Sequence, residues 1–166
     1  MKKTLLLIFS ILISTSSFAE LDGEAFALRK QADSSAWGSN GYLKNPKEAI
    51  NLYKKYLKRV GTPTLENDSR NVMHTIGSLY WDALNNPKEA LIWYNKSAEL
   101  GFFSAQLTLG IIYFEGEIVT KSLEQSAYWI KTAYENPSEY AQGNSTEQGQ
   151  KHLAKDFWDK NDLWKY

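Results

Sequence analysis

Only a few side chains of this chain are of the types that carry catalysis or bind metals. The two histidines, His74 and His152, lie 78 residues apart. A zinc site needs His, Cys or carboxylate ligands at close spacing, and neither histidine has such a neighbour. Glu115 and Glu117 form a pair of carboxylates, but they fall in a predicted turn, where solvated charges are expected. These residues therefore predict neither a metal centre nor acid–base catalysis.

Nucleophilic and phosphate-transfer chemistry also lacks its sequence signals. No serine lies in a G-x-S-x-G motif, and two histidines leave few bases for a catalytic triad. The ten glycines are scattered along the chain rather than gathered in a phosphate-binding loop. We therefore predict that the protein is not an enzyme and takes no cofactor.

The N-terminus has the layout of an export signal. Two lysines precede the short apolar run 5–13, and small residues stand at Ser17 and Ala19, where a signal peptidase inspects the chain. The apolar run is far shorter than the roughly 20 residues that cross a bilayer. We predict a signal peptide over residues 1–19, followed by a single domain over residues 20–166 that is soluble in the periplasm.

Charge and cysteine content narrow the choice of partners. Without Lys2 and Lys3 the chain has 17 basic and 19 acidic residues, a formal charge of −2. This near neutrality gives no basis for binding nucleic acid or an anionic membrane surface. The chain has no cysteine, so an exported form must rely on its apolar core rather than on disulfides.

The clearest feature of the sequence is an internal repeat. Residues 45–53 read NPKEAINLY, and residues 86–94 read NPKEALIWY, 41 positions later. The segment 122–137 follows at a further offset of 36, which aligns Trp129 with Trp93. Self-similarity at a period of about 20–50 residues indicates stacked structural repeats.

Each repeat unit has the pattern of two helices. Apolar residues recur at helical spacing from Arg70 to Leu84. The next helix starts at Asn86, a suitable N-cap, followed by Pro87 in the first turn. Gly101 suits the end of that helix. The NPKEA motif is therefore a helix-start signal that recurs because every unit restarts a helix after a tight turn.

Glycine occupies the middle of two of the predicted first helices. Gly77 and Gly110 align at an offset of 33, and Tyr80 and Tyr113 follow them by one turn. A mid-helix glycine costs roughly 1 kcal/mol relative to alanine, so its recurrence predicts a neighbouring helix too close for a side chain. We expect the two tyrosines to fill the space alongside.

The chain resembles the Sel1-like repeat, a relative of the tetratricopeptide repeat, over LGIIYFEGEIVTKSLEQSAYWIKTA. WYNKSAELG at 93–101 is similar to the second half of the family pattern. The matching residues are Ala105, Leu109, Gly110, Tyr113, Gly116, Val119 and Trp129. The departures are Glu117, Ser126 and Pro137, which stand where Gly, Ala and Gly are usual.

This resemblance implies an all-α fold, a right-handed stack of antiparallel helix pairs of the Sel1-like and tetratricopeptide-like α-solenoid type. It places Sel1-like repeats at about 70–101 and 105–137. Residues 24–64 are similar to a degenerate N-terminal unit, and residues 145–159 to a capping helix.

The resemblance also implies a function, because members of the family are mostly non-catalytic scaffolds that bind other proteins. Small exported bacterial members include immunity proteins, which neutralise toxins, and envelope adaptors. We expect one of these roles, with another protein as the partner. The alternative is an enzyme or small-ligand binder that acts on cell-envelope material such as peptidoglycan fragments.

A partner-binding face follows from the same resemblance, because the first helices of tetratricopeptide-like stacks line the concave surface. With the two glycines as anchors, the outward positions are Asn71, His74, Ser78, Trp81, Ser104, Leu107, Ile111 and Phe114. Large aromatic side chains are frequent hot spots, so we expect Trp81 and Phe114 to anchor the partner. The alternative is that a terminal helix of the chain itself covers this stripe.

The C-terminal segment 156–166, DFWDKNDLWKY, allows two interpretations. Its aromatic residues alternate with charges. The segment either seals the end of the stack, with Phe157 and Trp158 buried, or forms an aromatic tail that docks a partner.

Overall fold

The computed structural model describes residues 23–61, 68–137 and 145–166, and every regular element within them is helical. The α-helices are α1 (23–37), α2 (Pro46–Val60), α3 (Ser69–Ser78), α4 (Pro87–Glu99), α5 (Phe103–Glu115), α6 (Leu123–Tyr134) and α7 (Ser145–Lys160). A π-helical turn, Leu79–Ala83, extends α3, and a 3-10 turn, Leu163–Lys165, follows α7. The predicted signal peptide lies outside the described residues.

The chain divides into two compact units, Met1–Thr62 and Pro63–Tyr166. Helices α1 and α2 belong to the first unit, and helices α3 to α7 belong to the second. The boundaries predicted for the single domain and for its repeats stay predictions.

In the first unit, a buried tyrosine of α2 forms a hydrogen bond with a carboxylate of α1. The hydroxyl of Tyr53, which is fully buried, donates to Asp33 Oδ1 at 2.6 Å. Arg29 Nε donates to the same carboxylate at 3.1 Å. Ala32 and Ala49 are fully buried as well. Because its hydroxyl is satisfied, the tyrosine can be buried at little polar cost.

The second helix of each repeat, which is α2, α4 or α6, starts in the same way. The side chains of Asn45, Asn86 and Ser122 cap α2, α4 and α6. Each accepts the backbone N–H three residues further on, at 3.1 to 3.3 Å. Pro46 and Pro87 occupy the first turn of α2 and α4. The helix-start role predicted for the NPKEA motif is confirmed.

The backbone N–H groups of the same three N-cap residues bind back to the preceding helix or π-turn. They donate to the carbonyls of Ser35, Tyr80 and Tyr113, at 2.7, 2.8 and 3.0 Å. Asn86 follows Tyr80 by six positions, whereas Ser122 follows Tyr113 by nine. The same hydrogen bond is therefore kept although the two connections differ in length.

Helix α3 is less regular than its sequence predicts. The helix predicted from Arg70 to Leu84 is present, but its last turn is the π-turn, in which the Leu84 N–H donates to the Leu79 carbonyl at 3.2 Å. Asn85 follows with a φ of 47°, in the left-handed region that asparagine tolerates. The π-turn ends at Ala83, and three residues separate it from Pro87, where α4 starts.

The two mid-helix glycines lie where helices touch. A Cβ atom added at Gly77 would be 2.7 Å from ring carbons of Tyr94, and one at Gly110 would be 2.5 Å from side-chain carbons of Ile130. Tyr94 and Ile130 align at the repeat offset of 36. The predicted close packing is confirmed at both glycines.

Beside these contacts lies a group of buried apolar side chains. It comprises Ala90, Tyr94, Ala98, Ala105, Leu109, Ile112 and Trp129. Tyr80 and Tyr113 are partly buried against it, as the sequence predicts. The three alanines let α4 and α5 approach each other closely.

Buried amide side chains fix the turn between α4 and α5. Asn136 Nδ2 donates to the Gly101 carbonyl at 2.9 Å and to Gln106 Oε1 at 2.8 Å. Gln106 Nε2 donates to the Ala98 carbonyl at 3.2 Å. Gly101 has a φ of 81°, which confirms its predicted place at the end of α4. The network connects Asn136, the second residue after α6, to the end of α4.

We expect Gly110→Val to lower the free energy of unfolding by about 1–3 kcal/mol, because the added carbons overlap Ile130. Gly23→Val is the control, since Gly23 lies in α1 and an added Cβ there meets no atom within 4 Å. Urea unfolding measures both. Equal stability of the two variants would contradict the close approach of α5 and α6.

We also expect Ser126→Ala to stabilise the protein by about 1 kcal/mol, because a buried hydroxyl without a partner is costly. Ser126 is fully buried in α6, and its Oγ has no hydrogen-bond partner. Ser97 is equally buried, but its hydroxyl donates to the Arg70 carbonyl at 2.6 Å. Ser97→Ala should therefore destabilise, and thermal unfolding of the pair tests the opposite signs.

Candidate protein-interaction surface

The predicted partner-binding positions on α3 face the protein's own aromatic side chains. The His74 ring centroid lies 5.3 Å from that of Tyr94 and 5.4 Å from that of Phe102. The hydroxyl of Tyr94 donates to Ser78 Oγ at 3.3 Å. His74 and Ser78 thus contact α4 and the turn that follows it.

Burial in this aromatic setting changes the acid–base behaviour of the histidine. Loss of solvent around the ring lowers the pKa of His74 from 6.5 to about 4. The same cause raises the pKa of the Tyr94 hydroxyl above its ordinary value. His74 is therefore neutral at physiological pH and serves as a packing residue rather than a positive contact.

The other two predicted positions of this repeat, Asn71 and Trp81, are partly buried as well. Asn71 is partly buried, and its Oδ1 accepts the Thr75 hydroxyl one turn later at 3.2 Å. Trp81 is partly buried against the core of the second unit, with its ring centroid 6.4 Å from that of Tyr94. The Trp81 indole thus contacts the core on one side, and part of the ring stays accessible to solvent.

The equivalent positions on α5 are partly covered by α6 and by the C-terminal segment. Leu107, Ile111 and Phe114 pack against the buried residues Ala127, Ile130 and Leu163, and Phe157 and Trp158 pack against the same group. The rings of Phe114 and Phe157 meet edge to face at 5.1 Å. Ser104, at the start of the line, is partly buried, and its carbonyl accepts the Thr108 hydroxyl at 2.8 Å.

This line of residues is therefore not freely exposed, because His74, Ser78, Leu107, Ile111 and Phe114 are partly buried against other side chains of the protein. The reason is that the line packs on the protein's own helices and turns. For α5 these are α6 and, from the C-terminal segment, Phe157 and Leu163, so the alternative of a covering terminal helix describes part of the second half of the line. Partner binding by the eight residues stays a prediction.

The C-terminal segment combines the two interpretations that the sequence allows. Phe157 and Trp158 are partly buried, and Leu163 is fully buried against α6. Trp164 and Tyr166 are exposed. The segment seals the end of the helix stack with one set of side chains and presents aromatic rings with another.

Several exposed apolar side chains were not among the predicted contact residues. Ile92 on α4 and Tyr128 on α6 are 48% and 59% exposed, and they align at the repeat offset of 36. The first unit exposes Trp37, Tyr42 and Leu43 around the turn between α1 and α2. The signal that could have identified the first pair is the repeat register itself, applied to the second helices.

Within residues 23–61, 68–137 and 145–166, no three His, Cys, Asp or Glu side chains are grouped so that they could hold a metal ion. Among those same residues, no helix has the length and apolar character that a membrane span requires. The geometry described above is that of a helix-pair repeat protein.

The Sel1 repeat family model matches residues 34–55, 73–102 and 104–138. These segments cover just over half of the chain, and the protein belongs to the Sel1 repeat family. Sel1 repeats generally mediate protein–protein interactions, and proteins built from them are typically non-enzymatic scaffolds.

Among solved structures, the chain is similar to the crystal structure of a Sel1 repeat protein from Oxalobacter formigenes. The two share 23% identity, with a TM-score of 0.53 over 85% of this chain and 96% of the other. At this identity the likeness concerns the fold alone. The predicted fold class, an all-α solenoid of Sel1-like helix pairs, is confirmed. No curated protein matches the chain significantly.

We expect acid to destabilise the protein through His74. Because the folded pKa of about 4 lies below the ordinary 6.5, the unfolded chain binds the proton first as pH falls. The contribution is complete above about pH 6.5 and is lost by about pH 4, for a total of about 3 kcal/mol. Urea unfolding at several pH values measures the loss.

The variant His74→Phe keeps an aromatic ring and removes the proton site, so its stability should fall less over the same pH range. His152→Phe is the matched control, because His152 is exposed on α7. A wild-type slope in His74→Phe would show that other groups cause the acid sensitivity.

Proposed function

We propose that the protein is a non-catalytic binding module of the bacterial periplasm that holds another protein. Its role there is that of an immunity protein against a toxin or of an envelope adaptor. The observation that carries this proposal is the run of Sel1 repeats along the chain, since such repeats mediate protein–protein contacts. The export step rests on the signal-like residues 1–19.

Exposed apolar side chains support a protein partner. Ile92, Tyr128, Trp164 and Tyr166 of the second unit are all exposed. Aromatic residues are enriched in protein interfaces, where the ring supplies buried area at a small loss of side-chain entropy. A surface with exposed apolar side chains is more typical of a protein that binds a partner than of one that serves only as a spacer.

The chemistry of the histidines supports a non-catalytic role. His74 packs between two aromatic rings, and its lowered pKa keeps it neutral. A general base needs a position within hydrogen-bonding reach of a substrate. The His74 ring instead packs against the rings of Tyr94 and Phe102. His152 is exposed on α7, which is on a different element.

The experiment is capture of partners from an envelope extract by the tagged protein, in parallel with binding to purified peptidoglycan fragments. We expect one protein to be recovered in stoichiometric amount and no binding to the fragments. Binding to the fragments without a protein partner would instead favour the enzyme or small-ligand alternative. Recovery of neither would overturn the proposal.

The two predicted anchors, Phe114 and Trp81, are tested by thermal unfolding and by the capture experiment, respectively. Phe114→Ala should lower the melting temperature, because the ring packs on Phe157 and on buried residues of α6. Tyr128→Ala is the control, since Tyr128 is exposed. Trp81→Ala should weaken capture at nearly unchanged helix content. Undiminished capture by Trp81→Ala would place the contact elsewhere.

A further inference from the structure

The two compact units of the chain carry opposite charge. Residues 23–61 contain eight Lys or Arg and three Asp or Glu, a formal charge of +5. Residues 68–166 contain nine basic and thirteen acidic residues, a formal charge of −4. A net charge close to zero for the whole chain therefore conceals a basic first unit.

The basic charge of the first unit is concentrated on one exposed side of α2. Lys47, Lys54 and Lys58 recur at a spacing of seven and four, which places them on one side of a helix, and Lys55 lies beside them. All four side chains are exposed. We call these four lysines the α2 basic face. It extends over about 16 Å of helix at 1.5 Å per residue.

Acidic residues of α2 are too few to balance its basic residues, because Glu48 is the single acidic residue of the helix. Arg59 is engaged elsewhere, in an ion pair with Glu24 of α1. The helix as a whole carries five basic residues and one acidic residue, a formal charge of +4.

The equivalent second helices show that packing does not require this charge. At the repeat offsets, α4 and α6 take the place of α2, and each has equal numbers of acidic and basic residues. The position of Lys55 is Lys96 in α4 and Thr132 in α6. The fold thus accepts neutral helices here, and the α2 basic face is an addition to it.

An apolar contact accompanies the lysines. Leu43, in the turn that leads into α2, is 90% exposed, and Tyr42 beside it is exposed as well. The apolar side of α2 itself is not available, because Ile50, Tyr53 and Tyr56 are buried in the first unit. A helix that binds a membrane surface inserts its apolar side, so this arrangement favours a protein ligand over a lipid surface.

We infer that the α2 basic face, with Leu43 at its N-terminal end, binds an acidic segment of a partner protein. This inference rests on the proposed function and adds the charge of the partner and the place of contact. Complementary charge accelerates association and excludes partners of like charge. Leu43 supplies a small apolar contact at one end and fixes the direction of the bound segment.

The test uses three probes in fluorescence titrations with the full protein. The first is a synthetic peptide in which Glu alternates with Leu and Tyr, and the second has Gln in place of Glu. The third is vesicles of phosphatidylglycerol. We expect binding of the acidic peptide only, with affinity that falls about tenfold or more from low to high salt because exposed charges are screened.

Two charge-matched variants locate the contact. The first is Lys47→Glu/Lys55→Glu/Lys58→Glu on α2, and the control is Lys88→Glu/Lys96→Glu/Lys131→Glu on α4 and α6. We expect the α2 variant to bind the acidic peptide about tenfold more weakly or worse, while the control changes affinity less than about twofold. Circular dichroism checks that both variants keep their helix content.

Several outcomes would overturn the inference. These are no binding of the acidic peptide, equal loss in both variants, and binding of vesicles that the α2 variant abolishes. A protein captured from the envelope extract that binds both variants equally would refute the α2 basic face and leave the proposed function intact. Failure to capture any protein would refute the proposed function, while the peptide titrations still decide where acidic ligands bind.

Discussion

The contact of a side chain with bare helix backbone sets the geometry of the second unit. Tyr94 lies against Gly77 and Ile130 against Gly110, at distances that leave no room for a Cβ atom. Each glycine costs its helix roughly 1 kcal/mol relative to alanine, and burying an apolar side chain the size of isoleucine contributes about 2 kcal/mol. The close approach is therefore favourable only when both helices are present. Pairs of helices, rather than single helices, are the stable parts of the fold.

The hydrogen bond from each N-cap amide to the preceding carbonyl makes this pairing independent of loop length. Because the Asn86 N–H is fixed on the Tyr80 carbonyl and the Ser122 N–H on the Tyr113 carbonyl, both second helices start at the same place relative to the first. The three additional residues of the later connection are accommodated without moving Ile130 away from Gly110, and Ile118 and Val119 of that connection pack against the core. The change in length is thus confined to the connection.

The sequence predicted what depends on neighbouring residues along the chain and missed what depends on distant ones. Helix starts at Asn86 and the close packing at Gly110 follow from local patterns, and the structure has both. The covering of Phe114 was left open, because it depends on α7 docking with Phe157 and on Leu163, which lies in a short 3-10 turn outside the repeat pattern. The basic first unit was missed because net charge was taken over the whole chain, which averages the two units to nearly zero.

The positions at which the second helices differ show where a specific function can lie. Buried positions keep their character through the repeat: Ala49, Ala90 and Ser126 are small, and Tyr53, Tyr94 and Ile130 are large. Packing fixes these types, because each must fill or leave the space of the paired helix. The exposed position two residues after each of these small residues carries Asn51, Ile92 and Tyr128, which have no common chemistry. Selection for folding does not explain such differences, so the divergent surface of the second helices is where recognition of one partner can be encoded.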